Sequence, residues 1–123
     1  MTALTNEELA QGWLNALGDV ETFRPLCEPD AKVWHSNDDV WMTLDAAIGN
    51  VHLAGGIPPR EREAYRLTAD GFLVQFTVSL GGQRMHNTIL VRVRDGLAYE
   101  IEEYIGLETD LAALIASQIA AQA

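Results

Sequence analysis

The chain has little of what most catalytic and binding motifs require. Its single cysteine, Cys27, rules out an internal disulfide, and with Glu28 beside it a thiolate is disfavoured, so the thiol reads as inert. Eight lysines and arginines stand against eighteen aspartates and glutamates, leaving a formal charge of −10 that repels nucleic-acid backbones and anionic lipid. No apolar run approaches the ~18 residues of a membrane span. Met1-Thr2-Ala3-Leu4 leads straight into a helix cap, with no basic segment ahead of an apolar one. The expectation is a cytoplasmic protein without a nucleic-acid or membrane partner. Gly-x-Gly-x-x-Gly, Walker, Cys-x-x-Cys and nucleophile-elbow patterns are missing. The three histidines, His35, His52 and His86, pair at no metal-ligand spacing, so neither a metal nor a cofactor is expected.

What is present suits a single domain over residues 1–123. Hydrophobic side chains make up 48% and charged ones 21% of the chain, and a domain of this length buries roughly two-thirds of its unfolded surface. Thr5-Asn6-Glu7-Glu8 is a capping box that opens a helix bearing Leu9, Trp13, Ala16 and Leu17 on one stripe, stopped at Gly18. Asp19 can cap a short turn carrying Phe23 and Leu26, ended by Pro25 and Pro29. A strand over 31–37 follows, with Val33 and His35 on one face, and then a polar turn, Asn37-Asp38-Asp39. Thr43 caps a second helix carrying Leu44, Ala47, Ile48 and Val51, closed by Gly55-Gly56.

Beyond Pro58-Pro59 the period drops from 3.6 to 2. Strands over 61–69, 71–80, 83–94 and 97–105 are joined at Asp70-Gly71, Gly81-Gly82 and Asp95-Gly96. A terminal helix starts at Thr109 and carries Leu111, Leu114, Ile115 and Ile119. Helices at one end and an antiparallel meander at the other predict an α+β fold, a curved antiparallel sheet wrapped around the N-terminal helices with a pocket at its open end.

Strand parity selects the candidate site. Tyr99, Ile101, Glu103 and Ile105 share one face of the last strand, and a carboxylate among such neighbours is partly desolvated, the setting for a general acid or base near neutral pH. The alternatives are a bulge that turns Glu103 outward or a structural pair with an arginine. His35, on a strand end beside the polar turn, has the side chain best suited to proton transfer at neutral pH; alternatively it hydrogen-bonds backbone. Asn87 is the one polar residue within the run Met85, Ile89, Val91, Val93, and a buried amide can orient a ligand carbonyl or hydroxyl. Asn37 lies at the rim. Tyr65 and Trp13 each offer an aromatic wall with one donor, Trp13 reading more as core, and Phe72, Phe76 and Ile101 complete the apolar lining. His86 alternates onto the arginine-bearing face, and Asp38-Asp39 reads as a solvated turn.

Three features, Gly18-Asp19 after the first helix, PDAKVWHSND over 29–38 and VRVRDGLAYEIEEYIG over 91–106, resemble the SnoaL-like polyketide cyclase branch of the NTF2-like (ketosteroid isomerase-like) superfamily. The resemblance covers nearly the whole chain and implies a conical α+β barrel, usually dimeric through its convex sheet. It also implies that His35 holds the position of the isomerases' catalytic base, that Trp13 replaces their oxyanion-hole tyrosine, and that their oxyanion-hole aspartate falls near Ile89 and is missing. That loss argues against steroid-isomerase chemistry. The Asp-Arg-Asp arrangement of epoxide hydrolases is not evident, and Glu103 is the nearest stand-in for the cyclases' carboxylate.

Two functions therefore stand open. One is cofactor-independent acid/base catalysis of the isomerase, dehydratase or cyclase type on a small apolar carbonyl or hydroxyl compound, with His35 and Glu103 as the pair. The other is a non-catalytic ligand-binding or dimerisation module. On the convex face Trp34, His86, Leu90 and Tyr104 predict a homodimer surface, and Arg84, Arg92 and Arg94 facing Glu100 and Glu102 predict cross-strand pairs.

Overall fold

Local signals set the ends of the elements. In the computed structural model, which describes residues 2–122, the capping box is complete: the Glu8 amide donates to Thr5 Oγ1 at 3.1 Å and the Thr5 amide to Glu8 Oε1 at 2.9 Å. Helix α1 (Asn6–Ala16) buries Leu9, Ala10, Trp13 and Ala16 on one stripe. A 3-10 helix over Val20–Leu26 buries Val20, Phe23 and Leu26. The Asp19 side chain makes no capping bond there; the Thr22 hydroxyl instead donates to the Asp19 carbonyl at 2.6 Å. Thr43 caps α2 (Leu44–Leu53), accepting from the Ala46 amide at 3.1 Å. The chain leaves α2 through Gly55 and Gly56 at φ 85° and 102°, left-handed values that a β-carbon resists.

Six strands, β1 (Cys27–His35), β2 (Val40–Thr43), β3 (Glu61–Thr68), β4 (Gly71–Leu80), β5 (Gln83–Arg94) and β6 (Leu97–Leu107), lie in the order β2-β1-β6-β5-β4-β3. β3 to β6 form the expected antiparallel meander. β1, however, runs parallel to β6, so the sheet is curved and mixed, not antiparallel throughout. The chain passes through α2 and the whole meander before it returns beside β1, and a connection of that length is what a parallel pair requires.

Two further differences concern β1 and β2. Strand β1 starts at Cys27 and includes Pro29, which lies where the register with β6 slips, between Cys27 and Lys32. β2 reaches only Lys32 to His35, so Pro29 sits on a stretch of edge where a missing N–H is tolerated. β2 itself is not predicted by the pattern. Its four residues are mostly exposed and show no alternation.

Phe72, Val74, Phe76 and Val78 of β4, Ile89 and Val91 of β5 and Ile101 of β6 are buried on the concave face against α1, the 3-10 helix and α2. Each such side chain contributes ~1.5–3 kcal/mol relative to exposure. Cys27 is buried, and desolvation pushes its thiol up to about 12, in keeping with an inert group. A bulge in the β5–β6 pairing falls between Arg92 and Val93. It resets parity so that Ala98 and Ile101 are both buried. Tyr99 leaves the face expected for it and takes the Arg94 guanidinium over its ring at 4.2 Å.

On the convex face Arg92 pairs with Glu100 as expected. Arg94 instead makes two 2.8 Å contacts with Glu28, and Arg84 lies 3.2 Å from Glu108. Helix α3 (Leu111–Ala121) is capped by Asp110 rather than Thr109, and none of its residues is buried. No described helix is long and apolar enough to cross a membrane.

Candidate functional site

The parallel ladder between β1 and β6 builds the site. It sets His35 directly opposite Glu103, just as Val33 is set opposite Ile101, so one pleat parity carries both titratable side chains onto the concave face. The strand ends are pinned there. The Ser36 amide donates to the Glu103 carbonyl at 2.9 Å, and the Ile105 amide donates to Ser36 Oγ at 2.8 Å. The Asp39 amide closes the turn on the His35 carbonyl at 3.0 Å.

His35 Nε2 lies 3.1 Å from Glu103 Oε1, with side chains 22% and 18% exposed. The adjacent Glu103 carboxylate raises the His35 pKa, with Asp38 adding a smaller push in the same direction; partial burial opposes both and is outweighed. The shift favours the protonated ring relative to a free histidine, and the contact sets a ring nitrogen against a carboxylate oxygen. A carboxylate only accepts, so Nε2 carries the hydrogen that faces it.

Two cavities meet at this pair. The inner one, about 90 Å³, is walled by Trp13 and Leu17 of α1, Val20 and Phe23 of the 3-10 helix, Ile48 of α2 and the strand residues Val33, Ile89 and Ile101. The outer one, about 750 Å³, is an open cleft bordered by Asn37, Asp38, Asn50, Phe76, Met85, Asn87 and the 55–59 connection. His35, Glu103, Ala47, Val51 and Ile57 line both. Among the described residues no three metal-ligating side chains converge.

The remaining predicted residues divide. Trp13 and Ile101 line the inner cavity, while Asn37, Phe76 and Asn87 line the outer one. Asn87 is 5% exposed, and its Nδ2 donates to the Met85 carbonyl at 3.3 Å. Phe72 is on the expected face but lies behind Trp13, edge to face at 5.7 Å, and borders neither cavity. Tyr65 is also placed away from both, its hydroxyl donating to Glu7 Oε1 at 2.8 Å and accepting from Gln11 Nε2 at 3.4 Å. The indole N–H of Trp13 is buried without an acceptor, a state that costs ~1–3 kcal/mol.

Sequence reasoning passed over two contributors. Asp38, read as a solvated turn, borders the cleft and biases His35. Ala47, Ile48 and Val51 of α2 supply a whole wall, and their signal was the apolar stripe behind the Thr43 cap.

No protein-family model and no curated protein matches this sequence. Solved structures do. An NTF2-like protein of unknown function from Burkholderia xenovorans is 15% identical, with a TM-score of 0.68 over 85% of this chain and 88% of its own. A ketosteroid isomerase candidate from Kribbella flavida is 19% identical, with a TM-score of 0.65 over 85% and 80%. IdmH, a polyketide cyclase candidate from Streptomyces antibioticus, is 18% identical, with a TM-score of 0.62 over 90% and 99%. At such identities the likeness is one of architecture, and the architecture of this chain is the NTF2-like fold.

Proposed function

We propose that this chain binds a small, largely apolar carbonyl or hydroxyl compound in its cone and moves a proton on it without a cofactor, in an isomerisation, dehydration or cyclisation. The observation that carries the reading is the 3.1 Å contact between His35 Nε2 and Glu103 Oε1 at the border of both cavities. The carboxylate takes a proton from the carbon or hydroxyl presented to it, and the imidazolium supplies one to the oxygen where charge develops. Positioned acid/base groups of this kind contribute ~10²–10⁴-fold to a rate. The neighbours described as isomerase and cyclase candidates share the fold and support the reading at that level only.

Exchange of α-hydrogens for deuterium tests this with simple ketones in place of the physiological substrate. Neutral ketones incubated with the protein in D₂O should exchange faster, and Glu103→Gln should abolish the acceleration. Binding without exchange would leave the protein as a ligand-binding module, the second reading.

On the same reading the convex face is a homodimer surface. Trp41 and Tyr104 are 48% and 46% exposed, and Trp34 stands edge-on to Tyr104 at 5.2 Å. Exposed aromatics grouped like this are typical of association surfaces. Light scattering at micromolar concentration should give twice the monomer mass; monomer alone would reject the dimer.

A further inference from the structure

The two cavities differ in size and lining, and the acid/base pair stands between them. We infer that the compound is divided at that pair: a short aliphatic arm, too small to be a six-membered ring, enters the inner cavity, while a larger, polar but uncharged body stays in the outer cleft. The inference rests on the proton-transfer reading only for the position of the reacting atom.

Size decides the first half. A dry apolar cavity of about 150 Å³ accepts benzene, whereas the inner cavity measures about 90 Å³, which scales to an arm of roughly four carbons. Its wall away from His35 and Glu103 is aliphatic and aromatic, with Trp13, Phe23, Ile48 and Ile89 facing the space, so each methylene inserted leaves water for an apolar surface. Rings and branched bodies must remain in the cleft of about 750 Å³, where Asn37, Asn50 and the buried Asn87 offer amide donors and acceptors.

Charge decides the second half. No lysine or arginine lines either cavity among the described residues, Asp38 borders the cleft, and the chain carries a formal −10. A carboxylate, phosphate or phosphorylated carrier would meet negative potential, and the one basic side chain bordering the cleft among the described residues, His35, is already paired with Glu103. The substrate class is thus a neutral ketone or hydroxy-ketone with a short alkyl arm.

The test uses a series of 2-hydroxyethyl ketones whose second substituent is methyl, ethyl, propyl, butyl or phenyl, with the 4-oxo-carboxylates bearing the same arms as anionic controls. Affinity by ligand-observed NMR should rise about fourfold per methylene to about four carbons and fall for phenyl. The carboxylates should bind at least about tenfold more weakly than their hydroxyl counterparts, as a like-charge contact worth about one pKa unit would require. Ile48→Ala removes three carbons from the inner wall and should shift the preference toward phenyl. Ile48→Val, the milder change, should move the cut-off by less, with circular dichroism confirming the fold of both. Equal binding of phenyl and propyl by the unaltered protein, no dependence on arm length, or a preference for carboxylates would overturn the inference. Deuterium exchange is read separately on the same samples. Selective binding without exchange would sink the proton-transfer reading and leave the size rule standing, whereas exchange that favours phenyl ketones would do the reverse.

Discussion

Two histidine–glutamate pairs lie on opposite faces of this sheet, and they differ in what surrounds them. On the convex face His86 is used on both ring nitrogens, with Nδ1 2.9 Å from the hydroxyl of buried Thr77 and Nε2 2.8 Å from Glu108 Oε2. The same carboxylate oxygen also receives Arg84 at 3.2 Å, and the Glu108 amide donates to the Arg84 carbonyl. Hydroxyl, imidazole and carboxylate thus stand in a row that mimics a hydrolase triad. Yet Thr77 is 3% exposed and neither cavity borders the row. Its bonds tie the end of β6 to β5 and β4. On the concave face His35 and Glu103 pair with each other, with Asp38 nearby, and they border both cavities. The comparison teaches that a histidine–carboxylate contact is open to a third molecule when it borders a cavity and acts as a fastening when its neighbours tie strands together away from one.

Substitutions can break that comparison. The largest effect is expected for Glu103→Gln, which keeps the shape but removes the acceptor. Catalysed deuterium exchange should drop by ~10²–10⁴-fold, while thermal unfolding shifts by no more than about 1 kcal/mol, since one partly exposed pair is lost. Glu108→Gln should leave exchange unchanged; an equal loss in both variants would erase the distinction between the faces.

The next effect is in pH. The His35 pKa is raised in the folded protein by Glu103, so the pair's contribution to stability is full below the unfolded value of about 6.5 and fades as pH rises through the folded value. The exchange rate should fall along the same alkaline limb as the imidazolium is lost. Titration of the His35 ring by NMR should show its midpoint dropping in Glu103→Gln. An unchanged midpoint would separate the two side chains.

Thr77→Val probes the opposite face. It leaves His86 Nδ1 without its hydroxyl neighbour and should cost about 1 kcal/mol, read as a few degrees in Tm with exchange intact. The smallest effect belongs to Arg94→Met. Its two-pronged contact with Glu28 is largely exposed on the arginine side, so chemical denaturation should register only a slight loss of stability, diminishing with added salt.

Much of this was legible in the sequence because period-2 alternation is a local property. Val33 and His35, Met85 to Val93, and Ile101 to Ile105 fall on the concave face as their parity dictates, and the caps at Thr5 and Thr43 sit where side-chain oxygens can reach amide hydrogens. What escaped was non-local or irregular. The parallel pairing of β1 with β6 joins distant segments and leaves no mark in either, so the direct opposition of His35 and Glu103 could not be read from spacing. Tyr99 was shifted by a bulge that no residue announces. Tyr65 obeys its strand's alternation but stands on an edge strand whose register slips between Glu61 and Ala64, and where Arg62 adopts φ 58°; there its hydroxyl meets Glu7. Phe72 shows that the correct face is not yet the cavity surface, because Trp13 stands in front of it.

The register between β1 and β6 has a consequence for the life of the molecule before it is finished. One member of the His35–Glu103 pair lies in the first strand of the sheet in chain order and the other in the last. Until that final strand docks, a nascent or truncated chain holds an imidazole and a carboxylate that have not met. Formation of the His35–Glu103 contact therefore marks completion of the sheet, and a partly built intermediate lacks the pair altogether.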